Sequence, residues 1–266
     1  MSKHSLDHHY PPIVLVTFGT TVLKARQVYD YIDQCAKERY PKHQIVWGFT
    51  SGKIREKLQK QGMTTYSPDE VIAKLQAQGW QQAVMQSLHV VPGQEFEKMQ
   101  QSQQNGMDIA VGAPLMSSEA DIDAVIDILA ADFQPDRPNI IVCHGNSKYA
   151  HFNQQNITLA KRLRQKFPNV FVASVEGEVE LTAIDAAYEA ITDGKVHFIP
   201  LMMVAGDHIL NDVLGDDADS WKNRLGATTC TCATALGFND NIIQVFFKHL
   251  DIALAKLTTY QANRQS

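Results

Sequence analysis

The sequence predicts an α/β protein of two similar lobes, each a parallel sheet flanked by helices. Short apolar, β-branched runs alternate with longer amphipathic stretches along the chain, a pattern typical of parallel sheets that are covered on both faces. The apolar runs are nearly continuous, as buried parallel strands are. The motifs that follow these runs recur in the second half of the chain, which indicates a duplicated unit.

The predicted elements follow one another from residue 13 to residue 258. Strands are expected at 13–18, 44–49, 82–91, 108–113, 139–144, 169–175, 195–204 and 227–234. The helical spacing of apolar residues predicts helices at 21–39, 53–61, 69–78, 119–131, 150–166, 179–192 and 240–258. Ser67-Pro68-Asp69-Glu70 and Asp219-Ser220 resemble helix starts, because their side-chain oxygens can cap free N–H groups.

Short motifs after corresponding strands are the evidence for duplication. VTFGT at 16–20 resembles VCHGN at 142–146, and GFTSG at 48–52 falls against SVEGE at 174–178 with the same spacing. LHVVPGQEF at 88–96 aligns with LMMVAGDHI at 201–209. Chance similarity remains an alternative for motifs this short. We expect an N-terminal α/β lobe at 1–125 and a C-terminal α/β lobe at 126–266, with a helix crossing between them.

Composition and charge narrow the classes of function. The 266 residues are 44% apolar and carry a net charge of −5, and no lysine–arginine cluster offsets that charge, so we expect no nucleic-acid partner. No apolar run approaches about 20 residues, the length of a membrane span. The N-terminal MSKHSLDHHYPP lacks the apolar core of a signal peptide, and the four scattered cysteines do not suggest disulfides. We therefore expect a cytoplasmic protein with no membrane association.

Three side chains with metal-binding chemistry follow strands of the second lobe. His144, Glu176 and His208 come at three corresponding strand ends, and parallel strands bring their carboxyl ends to one edge, where α/β folds bind ligands. Two imidazoles and a carboxylate suit a divalent metal and leave coordination positions open. The alternative for each histidine alone is a hydrogen-bonding or capping role, and Glu176 could instead pair with Lys148 or Arg162.

The first lobe holds a different set at the equivalent positions. Phe18, Thr50 and Glu95 stand there, with His89 nearby. His89 could support the metal site or serve only the structure. The remaining histidines are assigned to the N-terminal tail, to structure or to the surface: His4, His8, His9, His43, His151, His197 and His249. Nucleotide-binding glycine motifs and the hydrolase G-x-S-x-G motif are absent.

Longer motifs extend this picture to nearly the whole chain. They are VTFGTT, GFTSGKI (48–54), QSLHVVPGQEFE (86–97), GAPLMSS (112–118), CHGN (143–146), VEGEVE (175–180), PLMMVAGDHILND (200–212) and DSWK (219–222). In this order they resemble the anaerobic sirohydrochlorin cobaltochelatases, a family within the class II chelatases that also include ferrochelatase. The strings GDH-x-x-ND and QSLH-x-x-x-G-x-E-x-E are the specific ones.

The resemblance implies a chelatase-like fold with the active-site cleft between the two lobes. It implies a flat tetrapyrrole substrate with multiple carboxylates, sirohydrochlorin or its precorrin-2 form, into which Co²⁺ is inserted without ATP in anaerobic cobalamin biosynthesis. It maps the metal ligands onto His144, Glu176 and His208, although Glu178 and Glu180 lie close by. No cofactor is expected beyond the substrate metal, and a homo-oligomer is left open.

The chemistry of such a reaction suggests further residues. The two pyrrole protons need acceptors, and Glu176, His89 and Glu95 are candidates. Asp207 or Asp212 could orient His208, or could cap the following helix. The contacts expected for the ring and its carboxylates are backbone N–H groups, guanidinium groups and one indole, from Gly19, Thr20, Arg55, Arg224 and Trp221.

Two alternatives stay open from the residues alone. The same ligand types would serve Fe²⁺ or Ni²⁺, because ligand chemistry does not separate these ions from Co²⁺. A non-catalytic carrier of metal or tetrapyrrole would also need a binding cleft, but it would not need a proton acceptor.

Overall fold

Two four-stranded parallel sheets form the framework of the computed structural model, which describes residues 10–101, 106–177, 179 and 183–265. The first sheet contains β1 (Ile13–Thr17), β2 (Ile45–Phe49), β3 (Gln82–Ser87) and β4 (Asp108–Gly112) in the order β2-β1-β3-β4. The second contains β5 (Asn139–Gly145), β6 (Val170–Glu176), β7 (Lys195–Leu201) and β8 (Thr229–Cys232) in the order β6-β5-β7-β8. The two-lobed α/β fold predicted from the sequence is confirmed.

The two sheets repeat one topology. Each has its first strand in the interior, its second strand at one edge and its fourth strand at the other. The pairing between first and third strands also corresponds, because Ile13 lies opposite Val84 in one sheet and Asn139 opposite His197 in the other. These are the pairs that the alignment of the two halves makes equivalent.

Helices cover both sheets. They are α1 (Gln27–Arg39), α2 (Gly52–Lys60), α3 (Pro68–Ala77), α4 (Gln94–Gln100), α5 (Glu119–Leu129), α6 (Gln154–Lys166), α7 (Ala183–Ala190), α8 (Trp221–Arg224) and α9 (Asp240–Gln265). Ser67 caps α3 as predicted, since its hydroxyl accepts from the Glu70 N–H and the Glu70 carboxylate accepts from the Ser67 N–H. The predicted side-chain cap of α8 is wrong, because the Ser220 hydroxyl makes no such bond.

Two stretches differ from the predicted elements. The strand expected at 82–91 ends at Ser87, and α4 begins at Gln94, where the sequence predicted no helix. The strand expected at 195–204 ends at Leu201, and a π-helical turn runs from His208 to Val213. Glu95 therefore lies in a helix rather than at a strand end, and His208 opens a turn seven residues after the last residue of its strand. Apolar runs continue past both strand ends, so periodicity alone could not locate them.

The hydrophobic core is shared between the lobes. One cluster of buried side chains contains Leu15 and Val84 of the first sheet, Ile141 and Leu201 of the second, and Phe246 of α9. The C-terminal helix α9 packs against β3 and β4 of the first sheet. The division of the chain at residue 125 stays a prediction, and the lobes it separates are tied together by this helix.

Among the residues that the structure describes, no helix is both long enough and apolar enough to span a bilayer.

Candidate metal centre

His144, Glu176 and His208 meet at the carboxyl edge of the second sheet. His144 lies near the end of β5, Glu176 is the last residue of β6, and His208 begins the π-helical turn that follows β7. Because β5 is paired with both β6 and β7, the exits of the three strands are neighbours. One potential ligand atom from each side chain lies within 4.8 Å of the other two. The spacing allows one divalent ion to be shared.

Two glycines allow the ends of β5 and β6 to approach this closely. Gly145 has φ of 75°, and a Cβ there would overlap the backbone oxygen of Glu176. Gly177 has φ of 69°, and its Cβ would stand 2.5 Å from the backbone oxygen of Asn146. Any other residue would strain the backbone and push the strands apart. The glycines that follow His144 and Glu176 therefore set the separation of two potential ligands.

Hydrogen bonds fix which nitrogen each imidazole presents. His144 Nδ1 lies 2.8 Å from the carbonyl oxygen of Gly145, and His208 Nδ1 lies 2.6 Å from Oδ2 of Asp212. A carbonyl and a carboxylate can only accept, so both Nδ1 atoms carry the proton when the rings are neutral. Each Nε2 then keeps its lone pair for a metal. The two rings lie edge to face, with centroids 4.9 Å apart and planes at 85°.

The centre is open on one side. His144 and Glu176 are exposed and His208 is half-buried, so the three side chains cover only part of a coordination sphere. Structural metal sites are closed by four protein ligands, whereas sites that exchange a ligand keep positions free. Neutral imidazole nitrogen and carboxylate oxygen together suit borderline divalent ions such as Co²⁺, Fe²⁺ and Ni²⁺. The arrangement can hold such an ion and also release it.

The loop after β1 in the first lobe lies next to the segment that carries His208. Thr20 is buried, and its Oγ1 is the atom that a Cβ at Gly206 would meet first, at 3.4 Å. Gly206 comes two residues before His208, so the lobes touch beside the metal centre. Phe18 and Leu210 flank this contact along the chain and are 47% and 50% exposed. The sequence did not identify them as an exposed apolar pair, since apolar residues are ordinarily expected inside.

His89 and Glu95 lie close enough in the first lobe to interact electrostatically. His89 Nδ1 lies 2.8 Å from Ser87 Oγ, while its Nε2 is enclosed without a hydrogen-bond partner. Burial lowers the pKa of His89 from 6.5 to about 4, and the charge of Glu95 opposes that shift. Glu95 Oε1 accepts from Lys98 Nζ at 2.8 Å, and Oε2 is enclosed without a partner. The pair therefore combines a neutral imidazole with a carboxylate that has a free acceptor.

The predicted ring contacts fall in different environments. Trp221 is 7% exposed and packs in the second lobe with Ile209 and Leu225, so its indole is part of the core rather than an exposed surface for the ring. Arg55 already pairs with a carboxylate, since its Nη1 lies 3.2 Å from Glu70 Oε2. Arg224 is exposed on α8.

The other predicted histidines have structural settings where the structure describes them. His43 Nδ1 lies 2.7 Å from the Pro11 oxygen, His197 Nδ1 lies 2.8 Å from Thr231 Oγ1, and His249 contacts both the Ala113 oxygen and Asp121. His151 is exposed beside Phe152. The tail histidines and the two alternative acids lie outside the described residues: His4, His8, His9, Glu178 and Glu180.

Fold and candidate site together define a class, two-lobed α/β proteins with three potential ligands for a divalent metal at the carboxyl edge of one sheet. A solved structure described as SirB from Bacillus subtilis with Fe³⁺ shares the fold, with a TM-score of 0.63 and 14% identity, covering 94% of this chain and 98% of that one. A model of the cobalt chelatase (CbiK) family matches residues 12–255. The chain belongs to this family, and it is a metal chelatase.

Two named relatives match over almost their full length. A sirohydrochlorin cobaltochelatase of Salmonella typhimurium is 33% identical over 265 residues, which cover 91% of this chain and 96% of the relative. A sirohydrochlorin cobaltochelatase, CbiKC, of Nitratidesulfovibrio vulgaris is 27% identical over 260 residues, covering 92% and 91%. The resemblance read from the motifs is confirmed by these matches.

Proposed function

We propose that this protein inserts Co²⁺ into sirohydrochlorin, as a sirohydrochlorin cobaltochelatase that needs no ATP. The observation that carries the proposal is the open imidazole–carboxylate–imidazole group of His144, Glu176 and His208 at the carboxyl edge of the second sheet. The family and the names of both relatives support the substrate and the metal. We also propose that the reaction belongs to anaerobic cobalamin biosynthesis, as the resemblance of the sequence motifs implies.

The three ligands would take a hydrated ion and strip part of its water. A fully closed protein site would hold the ion too firmly for transfer, whereas three ligands on one side leave positions for ring nitrogens. Both histidines bind metal only as neutral imidazoles, so protons compete with the ion for Nε2. Each metal–nitrogen bond formed with the ring can then replace a bond to the protein.

Insertion releases two pyrrole protons, and the carboxylates Glu176 and Glu95 are the proposed acceptors. Glu95 Oε2 is enclosed and has no partner in the structure, so a proton there would also satisfy a buried oxygen. His89, with a pKa of about 4, is neutral at physiological pH and releases a proton readily. It suits passing a proton to Glu95 better than keeping one.

The ring itself would lie across the join between the lobes. We propose that backbone N–H groups at Gly19 and Thr20, together with Arg224 and Arg55, receive its carboxylates. Arg55 would have to share its guanidinium with Glu70, to which it is bonded. Trp221 is left out of this proposal, because its indole belongs to the core.

Absorbance of the ring during turnover tests the function. Purified protein is mixed with sirohydrochlorin and Co²⁺, Fe²⁺ or Ni²⁺ in turn, against a protein-free control that measures spontaneous insertion. We expect catalysed insertion of Co²⁺ and a loss of at least about 100-fold in rate in His144→Ala and in His208→Ala, because each removes a direct metal ligand. His43→Ala is the matched control, since His43 precedes β2 of the first sheet and its Nδ1 contacts the Pro11 oxygen.

Two results would contradict the proposal. A ring spectrum that shifts on binding without turnover would make the protein a carrier. Full activity in His208→Ala would remove that residue from the metal centre. A faster reaction with Fe²⁺ or Ni²⁺ than with Co²⁺ would keep the chelatase class but change the metal.

A further inference from the structure

The π-helical turn at His208–Val213 holds a metal-ligating candidate in an unusual backbone. The Leu214 N–H donates to the Ile209 oxygen, five residues back, at 3.1 Å. Such turns are rare and occur often at functional sites. Ile209 and Val213 are buried against the core of the second lobe. The turn is therefore anchored on its inner side, and the position of His208 does not depend on a free loop.

Two side-chain pairs with the same spacing lie on the outer side of this turn. Asn211 Nδ2 donates to Asp207 Oδ1 at 2.7 Å, and His208 Nδ1 lies 2.6 Å from Asp212 Oδ2. Only the second pair includes a member of the metal group. The first pair supplies a natural comparison, because it lies on the same turn and spans the same number of residues.

The contact with Asp212 selects one form of the His208 ring. A neutral imidazole carries its proton on either nitrogen, and the form with the proton on Nε2 cannot bind a metal through that atom. An ionised carboxylate at Nδ1 accepts only, so it favours the proton on Nδ1 and leaves the Nε2 lone pair free. His144 is held in the same form by a backbone carbonyl, which no side-chain change can remove. Of the two groups that accept from the Nδ1 atoms, only the Asp212 carboxylate can therefore be removed by substituting its side chain.

We propose that Asp212 is a positioning residue for metal capture, holding His208 with its proton on Nδ1 and its ring turned toward His144 and Glu176 before any ion arrives. The effect of Asp212 on metal insertion rests on the proposed chelatase function, but its effect on the His208 imidazole does not. The His208 and Asp212 side chains are 34% and 48% exposed. Water therefore competes for the same bonds, and the effect belongs at the lower end of those known for groups that support a metal ligand.

Nuclear magnetic resonance of the metal-free protein tests the position of the proton directly. ¹⁵N shifts of His208 are recorded well above the ordinary histidine pKa of about 6.5, so that the rings are neutral. In the unmodified protein we expect the proton on Nδ1. In Asp212→Ala we expect a mixture of both forms, and in Asp212→Asn we expect the Nδ1 form to persist, since the amide oxygen can still accept.

Binding of Co²⁺ alone, followed by its visible absorption, tests the consequence. We expect Asp212→Ala to weaken Co²⁺ binding about tenfold, and Asp212→Asn to weaken it by only about threefold, because the hydrogen bond remains while the charge is lost. Asn211→Ala breaks the neighbouring pair without touching His208. It should leave both the ¹⁵N shifts and the affinity for Co²⁺ as they are.

Either of two outcomes would overturn the proposal. Unchanged ¹⁵N shifts and unchanged Co²⁺ affinity in Asp212→Ala would show that the contact does not position the ring. An equal loss in Asn211→Ala would show that the variants act by loosening the turn. Failure of the chelatase function would appear separately, as a lack of catalysed insertion by the unmodified protein, and the two measurements above need no tetrapyrrole.

Discussion

Gly145 shows how much of the metal centre depends on one missing side chain. The residue follows His144 directly and has φ of 75°. A Cβ at this position would overlap the backbone oxygen of Glu176. Its own carbonyl oxygen also accepts from His144 Nδ1. The residue thus sets the distance between two potential ligands and the orientation of one of them.

Replacing Gly145 by alanine should disturb both stability and metal binding. We expect Gly145→Ala to lower the free energy of unfolding by at least about 3 kcal/mol, because backbone strain and a steric overlap add together. Gly226→Ala is the control, since Gly226 has φ of 59° and no heavy atom within 4 Å of a Cβ; it should cost about 1–2 kcal/mol and leave Co²⁺ binding unchanged. Urea unfolding measures the stability of the two variants, and titration with Co²⁺ measures their metal binding. Equal costs in the two variants would refute the role of the overlap.

The sequence could predict most of this centre at the level of residues. His144, Glu176 and His208 could be predicted because side chains with metal-binding chemistry come after apolar strands. The choice of Asp212 over Asp207 could not be predicted, because both are near His208 in sequence and only the turn decides which one reaches it. Trp221 was misplaced for a related reason: it begins a four-residue helix, too short for periodicity to reveal which side is buried.

At the scale of elements, α9 connects the two lobes. His249 on this helix lies 3.1 Å from the Ala113 oxygen after β4 and 3.1 Å from Asp121 Oδ1 on α5. On the other side of the helix, Asp251 accepts from the Tyr40 hydroxyl at 2.9 Å. The last helix of the chain is thus held against elements from its first half.

A buried and an exposed residue of α9 allow the contribution of core packing to stability to be compared with that of the surface. Leu250 is fully buried and Ile252, two residues on, is 57% exposed. We expect Leu250→Ala to lower the free energy of unfolding by about 2–5 kcal/mol through the cavity it leaves, and Ile252→Ala to change it by no more than about 0.5 kcal/mol. Urea unfolding of both variants makes the comparison. A similar small cost for both would mean that α9 does not complete the core.

Most elements could be predicted from periodicity, and the exceptions share a cause. All eight strands occur, with ends shifted by a few residues, and the helices expected from apolar spacing are present. The helix α4 was missed because VVPGQEF continues an apolar strand and the helix spans only seven residues. The π-helical turn was missed because a single turn that contains one residue more than an α-helical turn leaves no periodic pattern in the sequence.

At the scale of the whole molecule, the shared core predicts that the lobes unfold together. Trp47 and Trp80 report on the first lobe and Trp221 on the second. In Trp221→Phe, and separately in the double variant with Trp47→Phe and Trp80→Phe, we expect the urea midpoint from fluorescence to equal that from far-ultraviolet circular dichroism, because one core links the sheets. A fluorescence midpoint that differs from the dichroism midpoint in either variant would show that a lobe unfolds alone.

The openness of the proposed metal site has a consequence for the order of binding. Its three potential ligands come from one sheet edge, so an ion bound there would keep its free coordination positions on the side away from that edge. An ion already bound there could meet the tetrapyrrole directly, whereas a tetrapyrrole that bound first would cover the open side of the site. We therefore expect the metal to bind before the tetrapyrrole, and the metallated product to leave before the next ion enters.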